Sequence, residues 1–137
     1  MRILFIYSVD DIASPSRPLR APEQMQFGIS YISSVLKQKS HTTDLVVLSR
    51  MLHSTGRTAI YKAVDDFNPK LLCFTSVASE YDFIKSIASH IKSKYPGIYM
   101  IAGGAHISLN PDDAISGPFD AVCVGEGEYP MLELVSR

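Results

Sequence analysis

Two blocks in the last third of the chain hold the residues best suited to chemistry. Ala-Gly-Gly-Ala-His at 102–106 and Asp-Ala-Val-Cys-Val-Gly-Glu-Gly-Glu at 120–128 each place paired or near-paired glycines at the end of an apolar run. A glycine offers bare backbone, so a large ligand can lie directly against the main chain. Earlier in the chain, Thr75-Ser76-Val77-Ala78-Ser79 follows a third apolar run with hydroxyls, and Ser8, Asp10 and Asp11 follow the first. The chemistry on offer is hydroxyls, glycine backbone and carboxylates, among them the acidic pair Glu126 and Glu128. That set suits a neutral, bulky ligand held by hydrogen bonds and shape, and it lacks the lysines that would grip a triphosphate.

These groups have to be positioned, and the pattern of the chain says how. Apolar, β-branched runs at Ile3–Tyr7, Asp44–Leu48, Leu71–Thr75, Ile98–Ala102 and Ala121–Val124 predict five strands. The runs are continuous rather than alternating, as expected of strands covered on both faces, which means a parallel sheet between two layers of helices. The fold class that follows is α/β, a flavodoxin-like doubly wound five-stranded parallel sheet in the order 2-1-3-4-5. In such a sheet ligands bind beyond the carboxyl ends of the strands, near the point where strand order reverses. Every group named above falls on that edge.

The intervening helices carry apolar stripes: Met25, Ile29, Ile32 and Leu36; Ile60, Ala63, Val64 and Phe67; Ile84, Ile87, Ala88 and Ile91. Helix packing alone accounts for them. Asn68-Pro69 ends the second helix. Ser79 and Asp82 are spaced as a capping-box-like start of the third, and Pro96-Gly97 stops it. Asn110-Pro111 opens a short fourth helix that Gly117-Pro118 closes. Pro130 suits the first turn of a last helix, which breaks off at residue 137. The chain is therefore expected to be a single domain, 1–137, from the N-terminal part of a longer protein. The connection from Ser8 to Pro22 is long for its place and holds three prolines, so it is either functional or mobile.

With 137 residues, of which 46% are hydrophobic, the chain can bury one core. A formal net charge of −1 gives no field to gather phosphates, so neither nucleic acid nor an anionic membrane is an expected partner. The start of the chain does not read as a signal peptide, and no apolar run is long enough for a membrane helix, so the expected location is cytoplasmic. Cys73 and Cys123 sit in apolar runs and are expected to stay reduced.

Specific motifs narrow the function further. Residues 8–22 hold no glycine, so the dinucleotide fingerprint is absent, and no glycine precedes Lys-Ser or Lys-Thr as a P-loop requires. A phosphoacceptor domain would need an aspartate where Thr75-Ser76 stands, which leaves Asp10 and Asp11 as solvated loop carboxylates in the plainest reading. There is no G-x-S-x-G for a serine hydrolase. The four histidines and two cysteines lack metal-ligand spacing. His41, His53 and His90 read as surface residues; His106 could either cap local backbone or line the ligand site.

The blocks together resemble the cobalamin-binding domain that precedes radical S-adenosylmethionine enzymes. Pro22 through His41, including Gly28, Tyr31 and Leu36, is similar to the family's first helix, P-x-x-x-x-x-G-x-x-Y-L-A-x-x-L-x-x-x-G-H. Gly103-Gly104-Ala105-His106-Ile-Ser-Leu-Asn-Pro111-Asp112 resembles G-G-P-H-x-T-x-x-P-E, and Asp120 to Glu128 resembles D-x-V-V-x-G-E-G-E. Two departures are the Ala105 in place of proline and the missing glycine before His41. The D-x-H-x-x-G motif, with which other cobalamin domains offer a histidine to cobalt, is absent after the first strand.

The resemblance implies cobalamin bound with its dimethylbenzimidazole tail off the cobalt and along the sheet edge, with no protein histidine in its place. It makes Ser8, Asp10, Thr75, Ser76, Ser79, Gly103, Gly104, His106, Gly125, Glu126 and Gly127 the cofactor-binding candidates. Gly103 and Gly104 would admit the tail, and Thr75 and Ser76 would bond its base or ribose. Glu126 and Glu128 are read as caps of the last helix or as interface groups. No catalytic or metal-ligating residue is implied in this chain. The parent would add a C-terminal radical SAM barrel with a 4Fe–4S cluster and S-adenosylmethionine, as a methyltransferase or a cyclase like the magnesium-protoporphyrin monomethyl ester cyclase. The rivals are a flavin mononucleotide-binding electron carrier and a ligand-free interaction module.

Overall fold

The computed structural model describes residues 1–9, 27–49 and 53–136, with the side chains of 27 and 53–56 left aside. Five parallel strands, β1 (Arg2–Val9), β2 (Thr42–Ser49), β3 (Leu71–Thr75), β4 (Tyr99–Gly103) and β5 (Ala121–Val122), form one sheet. Its order is β2-β1-β3-β4-β5, as the sequence predicts. The helices are α1 (Phe27–Gln38), α2 (His53–Phe67), α3 (Tyr81–Lys94), α4 (Ala105–Leu109), α5 (Pro111–Ile115) and α6 (Glu128–Val135), with a 3-10 turn at Ala78–Glu80.

Strand parity divides the core in two. On β1, Leu4 and Ile6 point to one face, where Leu72, Phe74 and Met100 join Ile60, Val64, Ile84, Ile87 and Ile91 from α2 and α3. Ile3, Phe5 and Tyr7 point to the other, where Leu71, Cys73 and Ile101 meet Ile29 and Leu36 of α1 and Met131 and Val135 of α6. Both faces being covered is why β1 and β3 read as unbroken apolar runs. The edge strand β2 departs from this, since Asp44 and Leu45 are exposed.

Local chemistry explains the boundaries. The second helix ends where Asn68 takes a positive φ of 51°, its amide donating to the Val64 carbonyl, with Pro69 buried next to it. At the end of α1 the left-handed position is held by Ser40, φ 67°, while His41 donates back to Leu36. The start of α3 differs from expectation: the 3-10 turn intervenes and the N-cap is Glu80, not Ser79. The expected fourth helix is α5, with Pro111 in its first turn. In front of it stands α4, five residues long and too short to show a period. The last strand is also shorter than expected, because the chain leaves the ladder after Cys123 donates to Ala102 and turns at Gly125, φ 81°.

Among the described residues no helix is long and apolar enough to cross a membrane. Both cysteines are free thiols, and among the described residues no group of three or more His, Cys, Asp or Glu could hold a metal ion.

Candidate functional site

A cavity of about 440 Å³ opens at the carboxyl ends of β3 and β4 and runs beneath the cleft between α1 and α6. Phe5, Cys73 and Ile101, neighbours in the strand register, form its floor. Gly28, Ile29, Tyr31 and Ile32 of α1 line one wall, and Glu128 and Met131 of α6 another. Its mouth is made by Thr75, Gly103, Gly104, Ala105, Ser108, Cys123, Gly125, Glu126 and Gly127. The volume lies within the roughly 300–1,000 Å³ usual for small-molecule sites, and the apolar body with a few polar groups at one end is their usual make-up.

The mouth is built from three strand-end loops brought into contact. Ser76 donates from its amide to the Gly103 carbonyl, and its own carbonyl accepts from His106, both at 3.2 Å. This pairing lays Gly104 flat on the preceding loop: with φ +102°, a Cβ there would stand 2.5 Å from Thr75 Oγ1 and 2.8 Å from the Ser76 carbonyl oxygen. Gly104 is therefore required by the approach of two loops. Gly103, which lines the cavity, has room for ordinary contact with Cys123 at 3.7 Å. Gly125 is required by its φ alone, since nothing lies within 4 Å of its missing Cβ. Gly127 is buried under Ile32, whose Cδ1 would be 2.7 Å from an added Cβ.

Of the residues singled out from the sequence, Thr75, Gly103, Gly104, Gly125, Glu126 and Gly127 share this one cavity. Ser8, Ser76, Ser79 and His106 do not line it, and Asp10 lies outside the described residues. Ser8 is buried and donates its hydroxyl to Glu80 Oε2 at 2.6 Å. Ser76 turns its hydroxyl back to the Val77 carbonyl, and Ser79 stands exposed on the 3-10 turn. His106 faces the opposite side of the sheet: its ring packs against Tyr81 with centroids 4.3 Å apart, and its Nε2 lies 3.2 Å from Asp113 Oδ2. The N-cap of α6 is Gly127, with no side-chain cap bond, so Glu128 meets the helix as a first-turn charge at its positive end.

Several lining residues carry no legible signal as site residues. Ile29 and Ile32 belong to a stripe that helix packing explains, and Phe5 and Ile101 to strands that the core explains. Ser108 lies in the unforeseen α4, where its Oγ accepts from the Gly125 amide at 2.9 Å. Glu80, only 6% exposed, is a buried carboxylate at the carboxyl edge that nothing in its neighbours announces. The two thiols facing the cavity are held protonated: burial pushes Cys73 up strongly, with Cys123 adding to it, and burial followed by the Glu128 charge raises Cys123.

A doubly wound domain with an apolar cleft at the carboxyl edge of its sheet, rimmed by bare backbone, belongs to the cofactor-holding class of α/β domains. More narrowly, residues 21–135 match the B12-binding domain model, and the chain belongs to that family. It is 24% identical over 110 residues, 79% of its length, to an uncharacterized methyltransferase, PH0819, of Pyrococcus horikoshii. The match covers 23% of that protein.

Two solved structures share the fold. The radical S-adenosylmethionine methyltransferase TsrM from Kitasatospora setae superimposes with a TM-score of 0.73 at 13% identity, over 99% of this chain and 25% of that one. The cobalamin-dependent S-adenosylmethionine radical enzyme OxsB, with aqua-cobalamin bound, gives 0.72 at 16% identity, over 98% and 18%. The chain thus spans about a quarter or less of the relatives named here.

Proposed function

We propose that the chain holds cobalamin base-off, with the dimethylbenzimidazole nucleotide in the cleft between α1 and α6, and that no histidine of this chain takes the vacated place on cobalt. The observation that carries this reading is the cleft itself: apolar over the strand floor, backbone-rimmed at the mouth, about 440 Å³, and, among the described residues, without lysine or arginine on its walls. A flat, uncharged base fits such walls, and a ribose meets the Thr75 hydroxyl and the glycine amides at the rim. A flavin phosphate would need a denser set of donors than the described residues of this rim supply.

Thr75, Gly103, Gly125 and Gly127 would hold the nucleotide, with Tyr31 and Ile32 covering it from α1. Ser8, Ser76, Ser79 and His106 would act from behind, by fixing the loops that form the mouth. Methyl transfer and one-electron chemistry are what the corrin supplies when bound; the chain contributes position and shelter. The parent would be a cobalamin-dependent radical SAM methyltransferase or cyclase whose following barrel brings the 4Fe–4S cluster and S-adenosylmethionine, consistent with a cytoplasmic protein. The short match to PH0819, and the small share of TsrM and OxsB that this fold occupies, support a larger protein around this domain.

Electron paramagnetic resonance of the protein loaded with cob(II)alamin tests the ligand assignment. The expected spectrum lacks nitrogen superhyperfine splitting, because neither the benzimidazole nor a histidine binds cobalt. Nitrogen splitting in the bound form would contradict it.

A further inference from the structure

The three loops at the cavity mouth are joined almost wholly through main-chain bonds. Ser76 and Gly103 join the loops after β3 and β4, and His106 returns to Ser76. The loop after β5 is different. Beyond Cys123, whose amide reaches Ala102, the chain runs out to Gly125, where the backbone takes a left-handed turn with open space around it. There, among the described residues, the tie to the rest of the mouth is a side chain: the Ser108 hydroxyl, 17 residues away on α4, accepting the Gly125 amide at 2.9 Å. Ser108 and Gly125 both line the cavity, on the loops that carry the two glycine blocks.

We infer that Ser108 is a positioning residue that sets the width of the mouth, and that through it the site discriminates corrinoids carrying a full nucleotide tail from those without one. The inference rests on the cobalamin reading above. A glycine-rich loop, Gly125-Glu126-Gly127, has many conformations open to it, and a single well-placed acceptor selects the one that leaves the cleft clear. A tail-bearing corrinoid has to pass this loop and lie along it, whereas a tailless corrinoid makes its contacts outside the cleft. Holding the loop in advance removes an ordering cost from the first ligand only.

The test compares the unaltered chain with Ser108→Ala, which removes the acceptor, and Ser108→Thr, which keeps it. Two readouts are taken. In protein free of corrinoid, hydrogen exchange at the Gly125 amide should speed up in Ser108→Ala and stay slow in Ser108→Thr, with the β3 and β4 amides unchanged. In equilibrium dialysis, Ser108→Ala should weaken cobalamin binding roughly tenfold while cobinamide, which lacks the nucleotide, changes by less than about twofold. Ser108→Thr should restore cobalamin binding. Unchanged exchange at Gly125, or equal losses for both corrinoids, would overturn the inference. If the unaltered chain binds neither corrinoid, the cobalamin reading fails and the discrimination with it, while the exchange comparison still decides whether Ser108 holds the loop.

Discussion

Single residues at the mouth divide into those that shape it and those that face it, and substitutions can tell them apart. Gly104 meets two penalties, a left-handed φ and a Cβ that would run into the backbone of Ser76, whereas Gly125 meets only the first. Gly104→Ala should therefore cost about 2–4 kcal/mol and Gly125→Ala about 1–2 kcal/mol, read from urea unfolding. Equal losses would mean that the contact between the loops after β3 and β4 is not what demands the first glycine. The thiols give a second handle. Cys73 is buried and its proton is held tightly, so it should resist iodoacetamide, while half-buried Cys123 should be the thiol that reacts. Because the thiolate is the reactive form and the Cys123 pKa is raised, labelling should be slow at neutral pH and accelerate as pH rises. Bound cyanocobalamin should shield Cys123; labelling indifferent to the cofactor would place the ligand elsewhere.

Among the elements, departures from the family pattern have physical readings. Where the motif has a glycine before His41, this chain has Ser40, and that residue sits at φ 67°, the conformation a glycine takes at no cost. Ser40→Gly should stabilise the protein by about 0.5–1 kcal/mol, the relief of the left-handed strain less the added freedom of the unfolded chain, measured as a rise in melting temperature. Ala105 is the first residue of α4, where proline's fixed φ also fits, so either residue serves. Asp120 opens the last motif, yet its Oδ2 accepts from the Met100 amide and from Lys92, both at 2.8 Å, which makes it a clamp between β4 and the start of β5. Strands and long helices were legible because burial on two faces and helical spacing leave unambiguous periods. The short helix α4, the 3-10 turn before α3 and the early end of β5 were not, since each is set by a few loop hydrogen bonds rather than by a repeating pattern.

On the scale of the molecule, the strand order and both helical layers follow from hydrophobic pattern, and the position of the site follows from the strand order. What pattern could not give is depth. The sequence points to the rim, through Thr75, Gly103, Gly104, Gly125 and Gly127, while the cavity extends under α1 and α6 over Phe5, Cys73 and Ile101, residues that look like ordinary core. The pattern also leaves open whether His106 caps local backbone or lines the site, and the Gly104 turn carries its ring to Tyr81 and Asp113. The central claim is that this cleft exists to hold the nucleotide arm of a corrinoid, and titration of the purified chain with hydroxocobalamin, followed by desalting and visible spectroscopy, tests it most directly. The account predicts one cobalamin retained per chain with a base-off spectrum. Release of all the cobalamin on desalting, or retention with a base-on spectrum, would contradict it.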